Sequence, residues 1–225
     1  MRHSHSSIKL YEQCPRKFWH LRVIKDVVEP EGEQAKYGTW VHAAFEEHVK
    51  NGVPLPETLK VWESPLSKFL RLEVECEKEL VLDEHLKPVR GDNAWWSEAA
   101  WLRAKIDLSA KLSPTSLLIL DYKTGKHKPD FDQLELGALF EFAYDPELQV
   151  VIGAFVWTKH PELGLQDQRT YTRDMVNGLW AKHLARIKEI HISEETGNWP
   201  ARPSGLCKWK TGQCAAYDRC PYGRR

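Results

Sequence analysis

The segment that most constrains the fold of this chain is an apolar run that ends in charged residues. Residues 117–120 read Leu-Leu-Ile-Leu, and the chain continues Asp-Tyr-Lys-Thr-Gly from Asp121 to Gly125. Such a run is typical of a buried strand, and the glycine indicates a turn. Because side chains alternate along a strand, Asp121 and Lys123 share one face. The sequence therefore predicts a strand whose end carries a carboxylate beside an ammonium group.

A second carboxylate, Asp107, interrupts the apolar strand pattern of residues 104–108. A charge at such a place needs a partner or a metal ion. Mg²⁺ takes few protein carboxylates and leaves its other positions to water and phosphate, so two acids and a lysine at neighbouring strand ends suit phosphodiester hydrolysis. Lys123 would then lie near the attacking water or the phosphate. The alternative is an exposed ion pair, which stabilises a fold by less than about 1 kcal/mol.

The hydrophobic pattern along the chain predicts a mixed α/β domain. Helical spacing is found at residues 8–21, 37–49, about 66–76, 132–144 and 174–191, and strand patterns are found at 79–82, 99–112, 117–122 and 149–158. The first three strands are expected to form an antiparallel meander. A helix and a strand after a meander imply a mixed central sheet flanked by helices. We expect one domain over residues 1–225, with a loop-like tail from Trp199.

The charge of the chain is balanced overall and uneven along its length. Lys and Arg number 32, as do Asp and Glu, which argues against a uniformly basic nucleic-acid coat and against a polybasic membrane binder. Residues 1–25 and 201–225 each hold six basic residues and one acidic residue, so the middle of the chain is acidic. No apolar stretch is as long as a membrane span or a secretion signal. We expect a soluble, cytoplasmic protein with no membrane partner.

These motifs resemble the PD-(D/E)XK nuclease superfamily, in particular the RecB-like exonucleases that include the AddB nuclease domain and CRISPR-associated RecB-like nucleases. His42 in GTWVHAAFEE, Asp107 in AKID, and Asp121 and Lys123 in LDYKTGK match the motifs of that group. The resemblance implies a restriction-endonuclease-like core. It also implies a metal site of His42, Asp107, Asp121 and the backbone carbonyl of Tyr122. Asp107, Asp121 and Lys123 would be catalytic.

Further positions extend this resemblance or depart from it. Glu77 matches an additional upstream acid, with Glu75 as a competing alignment, and Gln133 matches the catalytic-site glutamine of a Gln-x-x-x-Tyr helix that approaches DNA. Gly137 stands where that helix has its tyrosine, which puts the DNA contact of the helix in question. Ala104 replaces the usual glycine before Lys-Ile-Asp, a change between small residues that should not remove the chemistry.

The cysteines predict a metal cluster. Five cysteines in a chain without a secretory signal make a disulfide framework a poor explanation, and Cys76 reads as a small buried hydrophobe. Some RecB-like nucleases hold a [4Fe-4S] cluster, and Cys14, Cys207, Cys214 and Cys220 match its ligands. The three C-terminal cysteines are spaced C-x6-C-x5-C, whereas the usual spacing is C-x2-C-x5-C. A structural zinc ion or free thiols are the alternatives.

A shared cluster would join the two ends of the chain. We expect residues 1–60 and 199–225 to pack together as a cluster subregion, a Cys-ligated clip that stabilises the fold as metal closure of a long loop does. The two basic ends would then form one patch, at which salt-dependent DNA binding is expected. The DNA contacts predicted in this patch are Lys208, Trp209, Lys210 and Arg219.

Ten tryptophans allow a second kind of DNA contact, because unpaired bases stack on exposed aromatic rings. Three tryptophans lie in polar segments and are candidates for stacking: Trp95, Trp96 and Trp209. Four others fall on apolar faces and are expected in the core: Trp19, Trp40, Trp157 and Trp180.

The function predicted from the sequence is a Mg²⁺- or Mn²⁺-dependent deoxyribonuclease, with an exonuclease acting on single- or double-stranded DNA ends as the leading hypothesis. An endonuclease or flap nuclease with the same site is the first alternative. A non-catalytic nucleic-acid-binding module stabilised by an iron-sulfur cluster is the second. The resemblance also implies partner proteins from a recombination, repair or CRISPR pathway. Strand preference, digestion polarity and oligomeric state stay open.

Overall fold

The fold is known from a computed structural model that describes residues 1–223; Arg224 and Arg225 of the basic C-terminal end lie outside the described residues. Its helices are His5–Gln13 (α1), Pro15–Phe18 (α2), Glu33–Asn51 (α3), Glu63–Ser67 (α4), Phe131–Tyr144 (α5) and Val176–Thr196 (α6). Its strands are Glu73–Leu82 (β1), Leu102–Ser113 (β2), Ser116–Lys123 (β3), Val150–Trp157 (β4), Gln168–Thr172 (β5), Lys208–Trp209 (β6) and Gly212–Gln213 (β7). Within residues 1–223, none of the helices combines the length and the apolar character that a membrane span requires.

A five-stranded mixed sheet forms the centre of the fold, with its strands in the order β1-β2-β3-β4-β5. The pairs β1/β2 and β2/β3 are antiparallel, which confirms the predicted meander. Strand β4 is parallel to β3, a pairing that needs a crossover connection, and α5 supplies it. The last pair, β4/β5, is antiparallel again. The predicted fold class, a mixed α/β sheet flanked by helices, is confirmed.

Helices pack on both faces of this sheet. Val41 and Phe45 of α3 lie in one buried cluster with Leu120 of β3. Ile119, the neighbour of Leu120, points to the opposite face, where α5 packs. There a Cβ at Gly137 would lie 3.1 Å from the Ile119 side chain. This close approach explains why a glycine, and no tyrosine, occupies position 137.

Some local predictions are wrong for physical reasons. The helix predicted over about Leu66–Cys76 is present only in its first part, because α4 ends at Ser67, a 3₁₀ helix follows over Lys68–Arg71, and β1 begins at Glu73. The Glu-Val-Glu-Cys alternation there has the period of a strand. Strand β5 was not predicted because it is an edge strand of mainly polar residues in which only Tyr171 is buried. Trp40 was expected in the core, but it is 42% exposed.

The chain divides into two compact units. The sheet unit comprises Met1–Arg2 and Gly32–Trp180, and the terminal unit comprises His3–Glu31 and the chain from Ala181 onward. In the terminal unit the Phe18 ring stacks on Trp199 with their centroids 5.8 Å apart. Residues 3–31 of the predicted 1–60 segment thus belong with the C-terminal tail, whereas residues 32–60 belong to the sheet unit.

Candidate active site

Strand β1 changes face in its middle, beside the predicted metal site. Cys76 packs in the cluster under α3, yet the Lys78 ammonium lies 3.0 Å from the carboxylate of Glu141 on α5. In a regular strand these two residues would share a face. The residue between them, Glu77, has a φ of 53°, a left-handed value that costs a non-glycine residue about 1–3 kcal/mol. The ladder pairs on either side place Asp107 opposite this strained residue.

His42 of α3 joins these two carboxylates. Its Nδ1 lies 3.5 Å from Glu77 Oε1 and 3.4 Å from Asp107 Oδ1. One ligand atom from each of the three residues lies within 4.8 Å of the other two. The other ring nitrogen, Nε2, is 3.0 Å from the carbonyl oxygen of Tyr122. Three of the predicted metal-site groups and the additional acid Glu77 therefore meet in one place.

Next to Asp107, strands β2 and β3 separate and no longer form ladder hydrogen bonds with each other. The ladder between these strands stops at the pair Leu108 and Leu120. Beyond it, the Tyr122 N–H donates to Asp107 Oδ2 over 2.6 Å, so a side chain replaces the missing strand carbonyl. Asp107 is thereby fixed in the fork of the two strands, with its second oxygen toward His42.

The end of β3 carries a second group of polar side chains. The Lys123 ammonium lies 2.6 Å from Asp121 Oδ2 and donates to Gln133 Oε1 over 2.7 Å. The Gln133 amide nitrogen donates in turn to Asp121 Oδ1. Gln133 stands on the first turn of α5, so the crossover helix closes a ring of three side chains. All three are residues that the sequence assigned to the catalytic set.

Electrostatics in this region favour a cation. Burial lowers the pKa of His42, but hydrogen bonds to Asp107 and Glu77 outweigh it and raise this pKa to about 10. The hydrogen bond from His42 holds the pKa of Glu77 at about 2. Burial, followed by the charge of Asp107, raises the pKa of Asp121 to about 7. The two carboxylates that lie within 4.8 Å of each other and of His42, those of Glu77 and Asp107, suit a divalent ion. Asp121 lies outside this group of three and is held by Lys123 and Gln133.

One polar neighbour of the site was not predicted. The Lys105 ammonium lies 2.5 Å from Glu77 Oε2. The sequence did contain a signal, since Lys105 precedes Asp107 by two residues on β2 and therefore shares its face. Glu75, the competing alignment for the upstream acid, pairs with Lys78 at 2.6 Å and its side chain is 60% exposed. Glu77, and not Glu75, lies in the group.

The four cysteines predicted as cluster ligands line one pocket of the terminal unit: Cys14, Cys207, Cys214 and Cys220. The six residues between Cys207 and Cys214 form the two-stranded ribbon β6/β7. Because of this ribbon, the Cys214 N–H donates to the Cys207 carbonyl over 3.0 Å. The longer spacing is thus a hairpin that brings its two flanking cysteines opposite each other.

Backbone groups of the tail contact two of the four sulfurs. The N–H of Arg202 donates to Cys14 Sγ, and the N–H of Ser204 donates to Cys207 Sγ, each over 3.4 Å. The fifth cysteine, Cys76, is buried in the sheet unit, in agreement with its predicted role as a hydrophobe.

Three of the four predicted DNA contacts of the tail, Lys208, Trp209 and Arg219, already have neighbours within the terminal unit. Arg219 donates to Asp26 over 2.7 Å. The Lys208 ammonium lies 5.7 Å from the ring centroid of Tyr217. The Trp209 ring covers Gly212, where an added Cβ would lie 2.9 Å from the indole, but 48% of Trp209 stays exposed. Their role with DNA stays a prediction.

Comparison with known proteins identifies the family of the chain. The chain resembles the solved structure of a putative exonuclease from Eubacterium rectale. The two share 13% sequence identity with a TM-score of 0.50, and the match covers 98% of this chain and 93% of the other. The structure of SSO0001 gives 13% identity and a TM-score of 0.48, with 96% and 85% covered. A search of curated proteins finds no match. The profile of the PD-(D/E)XK nuclease superfamily matches residues 2–221, and the chain belongs to this superfamily.

Proposed function

We propose that this protein is a DNA exonuclease of the RecB-like type that uses Mg²⁺ or Mn²⁺. Membership of the nuclease superfamily makes it an enzyme that hydrolyses nucleic acid, and divalent metals are the cofactors of that superfamily. One observation carries the proposal. The acidic group at the fork of β2 and β3 and the Asp121–Lys123–Gln133 ring both lie where β3 ends.

The residues around the fork fit a hard divalent cation. Asp107 and Asp121 are the proposed carboxylate ligands, with His42, Glu77 and the Tyr122 carbonyl as further donors. Oxygen donors with one imidazole suit Mg²⁺ and Mn²⁺ better than softer metals. When bound, such an ion polarises the phosphoryl oxygen and lowers the pKa of a coordinated water.

The side chains around the metal position have separate tasks in this proposal. Lys123 orients the attacking water and stabilises the negative charge that develops on the phosphate. Its ammonium group is held for this task by Asp121 and Gln133, so Gln133 acts as a positioning residue. His42 holds the Tyr122 carbonyl, and Tyr122 in turn donates its N–H to Asp107. These bonds fix the ligand groups before DNA binds.

We also propose that Cys14, Cys207, Cys214 and Cys220 bind a [4Fe-4S] cluster with a structural role. The shared pocket, the β6/β7 ribbon and the N–H donors to two sulfurs support this assignment. Elemental analysis of anaerobically purified protein tests it. Iron and acid-labile sulfide in about equal amounts support the cluster, whereas zinc or metal-free thiols support the alternatives.

DNA is the proposed substrate, and its ends are proposed to contact the basic C-terminal tail. The enzyme is proposed to be cytoplasmic and to act with partner proteins of a recombination, repair or CRISPR pathway. Lys208, Trp209, Lys210 and Arg219 are exposed enough to serve as these contacts. Phosphate contacts of this kind make DNA affinity fall steeply with salt. Unchanged binding after joint neutralisation of the three basic residues would show that DNA enters elsewhere.

Digestion of linear and circular DNA separates the alternatives. An exonuclease releases label from the ends of linear DNA in Mg²⁺ or Mn²⁺ and leaves circular single-stranded DNA intact. Cleavage of the circle indicates an endonuclease with the same site. A folded protein that binds DNA but cuts neither substrate is a non-catalytic module, and this result overturns the proposal. Asp121→Asn serves as the inactive control in each assay.

A further inference from the structure

We propose that Trp96 stacks on a base of an unpaired DNA strand and so guides this strand along β2 to the active site. This inference rests on the proposed nuclease function and adds the form of the substrate and its path. It is carried by a constrained, exposed indole beside Arg103 of β2, the strand that also holds Asp107 of the acidic group.

The Trp96 ring is exposed, yet its neighbours constrain its position. The residue is 68% exposed and lies in the short 3₁₀ helix Ala94–Trp96. Its carbonyl accepts a hydrogen bond of 2.8 Å from the Arg2 guanidinium. The Arg103 guanidinium carbon lies 5.4 Å from the Trp96 ring centroid and 4.7 Å from that of Trp95. Among residues 1–223 the other exposed tryptophans, Trp40 and Trp209, are only 42% and 48% exposed, so Trp96 offers more of its ring to a ligand than either.

Strand β2 connects this ring to the metal-site residues. Asp107, Lys105 and Arg103 alternate along β2, so their side chains share one face. Each of the three has a contact on that face: Asp107 with His42, Lys105 with Glu77, and Arg103 with Trp95. Four strand residues span about 13 Å. That length corresponds to about two to four nucleotides, since a stacked strand rises about 3.4 Å per nucleotide and an extended one about twice as much.

We call the shared face of Arg103, Lys105 and Asp107 the β2 track. The charges along this track favour base stacking over phosphate binding. Lys105 is already paired with Glu77, and Glu79 lies opposite it in the β1/β2 ladder. The track is therefore no uniformly basic groove. An aromatic face supported by an arginine instead suits a base. Bases inside a duplex are covered on both faces by their stacked neighbours, whereas the bases of an unpaired strand can turn a face to the indole. The predicted occupant is single-stranded DNA, or the unwound end of a duplex.

Binding measurements on uncut DNA test this proposal. In the Asp121→Asn background, Trp96→Ala should weaken binding of a labelled single-stranded oligonucleotide about tenfold, within the roughly 5- to 150-fold range of one base–aromatic stack. Trp96→Phe should restore most of the affinity. Leu112→Ala, which changes a 44% exposed apolar residue at the far end of β2, is the matched control and should have no effect. The Trp96→Ala effect should also be nearly the same at low and high salt, unlike that of the tail lysines.

Abasic substitution locates the stacked base. In the wild-type protein, removing one base about two to four nucleotides from the cut should slow cleavage or weaken binding, and Trp96→Ala should abolish this position dependence. Thermal unfolding of Trp96→Ala verifies that the fold is intact. A change in affinity below twofold, or an abasic effect that persists in Trp96→Ala, overturns the proposal. If the wild-type protein binds in this way but never cuts DNA, the proposed nuclease function fails and the stacking site stands.

Discussion

The acidic site of the sheet unit and the cysteine pocket of the terminal unit are built on different principles. In the acidic site every candidate ligand has a hydrogen-bonded or ionic partner: His42 with Tyr122, Asp107 with the Tyr122 N–H, and Glu77 with Lys105. The cysteine pocket has two backbone N–H groups directed at sulfur and a two-stranded ribbon. The first site is arranged by the sheet and its helices, and the second by the chain ends themselves.

This difference predicts different responses to loss of metal. Where polar partners within the protein already fix the ligands, removing the metal should stop the chemistry and leave the fold intact. Where few partners hold the ligands, the bound metal itself supplies folding free energy. We therefore expect chelation at the acidic site to abolish cleavage without unfolding, and loss of the cluster to destabilise the terminal unit.

The largest expected effect is on catalysis. Lys123→Met removes the ammonium group that is proposed to stabilise the charge on the phosphate, and we expect cleavage to slow by about a thousandfold, in line with the loss of one transition-state donor. Manganese binding, measured by electron paramagnetic resonance, should persist because Lys123 is no ligand. Asp107→Asn should instead lose both activity and metal affinity. Equal loss of metal in the two variants would contradict these separate roles.

At the cysteine pocket we expect loss of both metal and stability. Cys14→Ser should lower bound iron to well below half of the wild-type amount and reduce the free energy of unfolding by several kcal/mol. The matched control is Cys76→Ala, because Cys76 lies in the sheet unit and should keep its iron content. Full iron occupancy in Cys14→Ser would contradict the proposal that Cys14 is a ligand of a stabilising cluster in this pocket.

Gln133 tests how far the sheet unit positions its own catalytic groups. Gln133→Ala removes the acceptor of the Lys123 ammonium and the donor to Asp121. We expect kcat to fall by about 10- to 100-fold with little change in KM, because the alignment of the reacting groups is lost and substrate binding is kept. The exposed Gln166→Ala should behave like the wild type. A pure rise in KM would assign Gln133 to DNA binding instead.

A pH-dependent prediction concerns the terminal unit. Burial, followed by the nearby His191, lowers the pKa of His3 from 6.5 to about 3. Between these values the unfolded chain binds a proton that the folded chain does not, so stability is present above pH 6.5 and falls as the pH drops. The loss between pH 6.5 and pH 5 is about 2 kcal/mol. Urea unfolding should show this difference in the wild type and a smaller one in His3→Phe; identical pH dependence would refute the assignment.

The smallest expected effect comes from Tyr122. Its hydroxyl is buried without a hydrogen-bond partner, whereas its backbone carbonyl and N–H contact the site. Tyr122→Phe should therefore keep activity within about twofold and leave stability unchanged or raised by about 1 kcal/mol, because an unsatisfied buried group is removed. Thermal unfolding and a cleavage assay check both. A tenfold loss of activity would place the hydroxyl in the chemistry.

The sequence predicted the elements with a strong periodic signal. The meander, α5 and the apolar β3 that ends in Asp121 and Lys123 were all found from alternation, helical spacing and turn residues. The edge strand β5 and the start of β1 were missed, because their residues are polar and their pairing depends on neighbours distant in sequence. The strained φ of Glu77 could not be predicted either, because glutamate has no intrinsic preference for a positive φ.

The candidate site was predicted in its residue types and only partly in its arrangement. The order of His42, Asp107, Asp121, Lys123 and Gln133 followed from the resemblance. Their hydrogen bonds depend on where β2 and β3 separate and on how closely α5 packs, which are tertiary features. The longer cysteine spacing, which left the cluster in question, turned out to be a hairpin. Turn residues Thr-Gly within it were the available signal.

The most direct test of the account is single-turnover cleavage of end-labelled linear DNA by the wild type and Asp107→Asn, with Mn²⁺ and with excess chelator. We predict release of end nucleotides by the wild type in Mn²⁺ alone, at least a thousandfold slower release by Asp107→Asn, and circular dichroism spectra that are the same in all samples. Cleavage by the wild type that continues in chelator, or by Asp107→Asn at the wild-type rate, would contradict a metal-dependent nuclease site at the fork of β2 and β3.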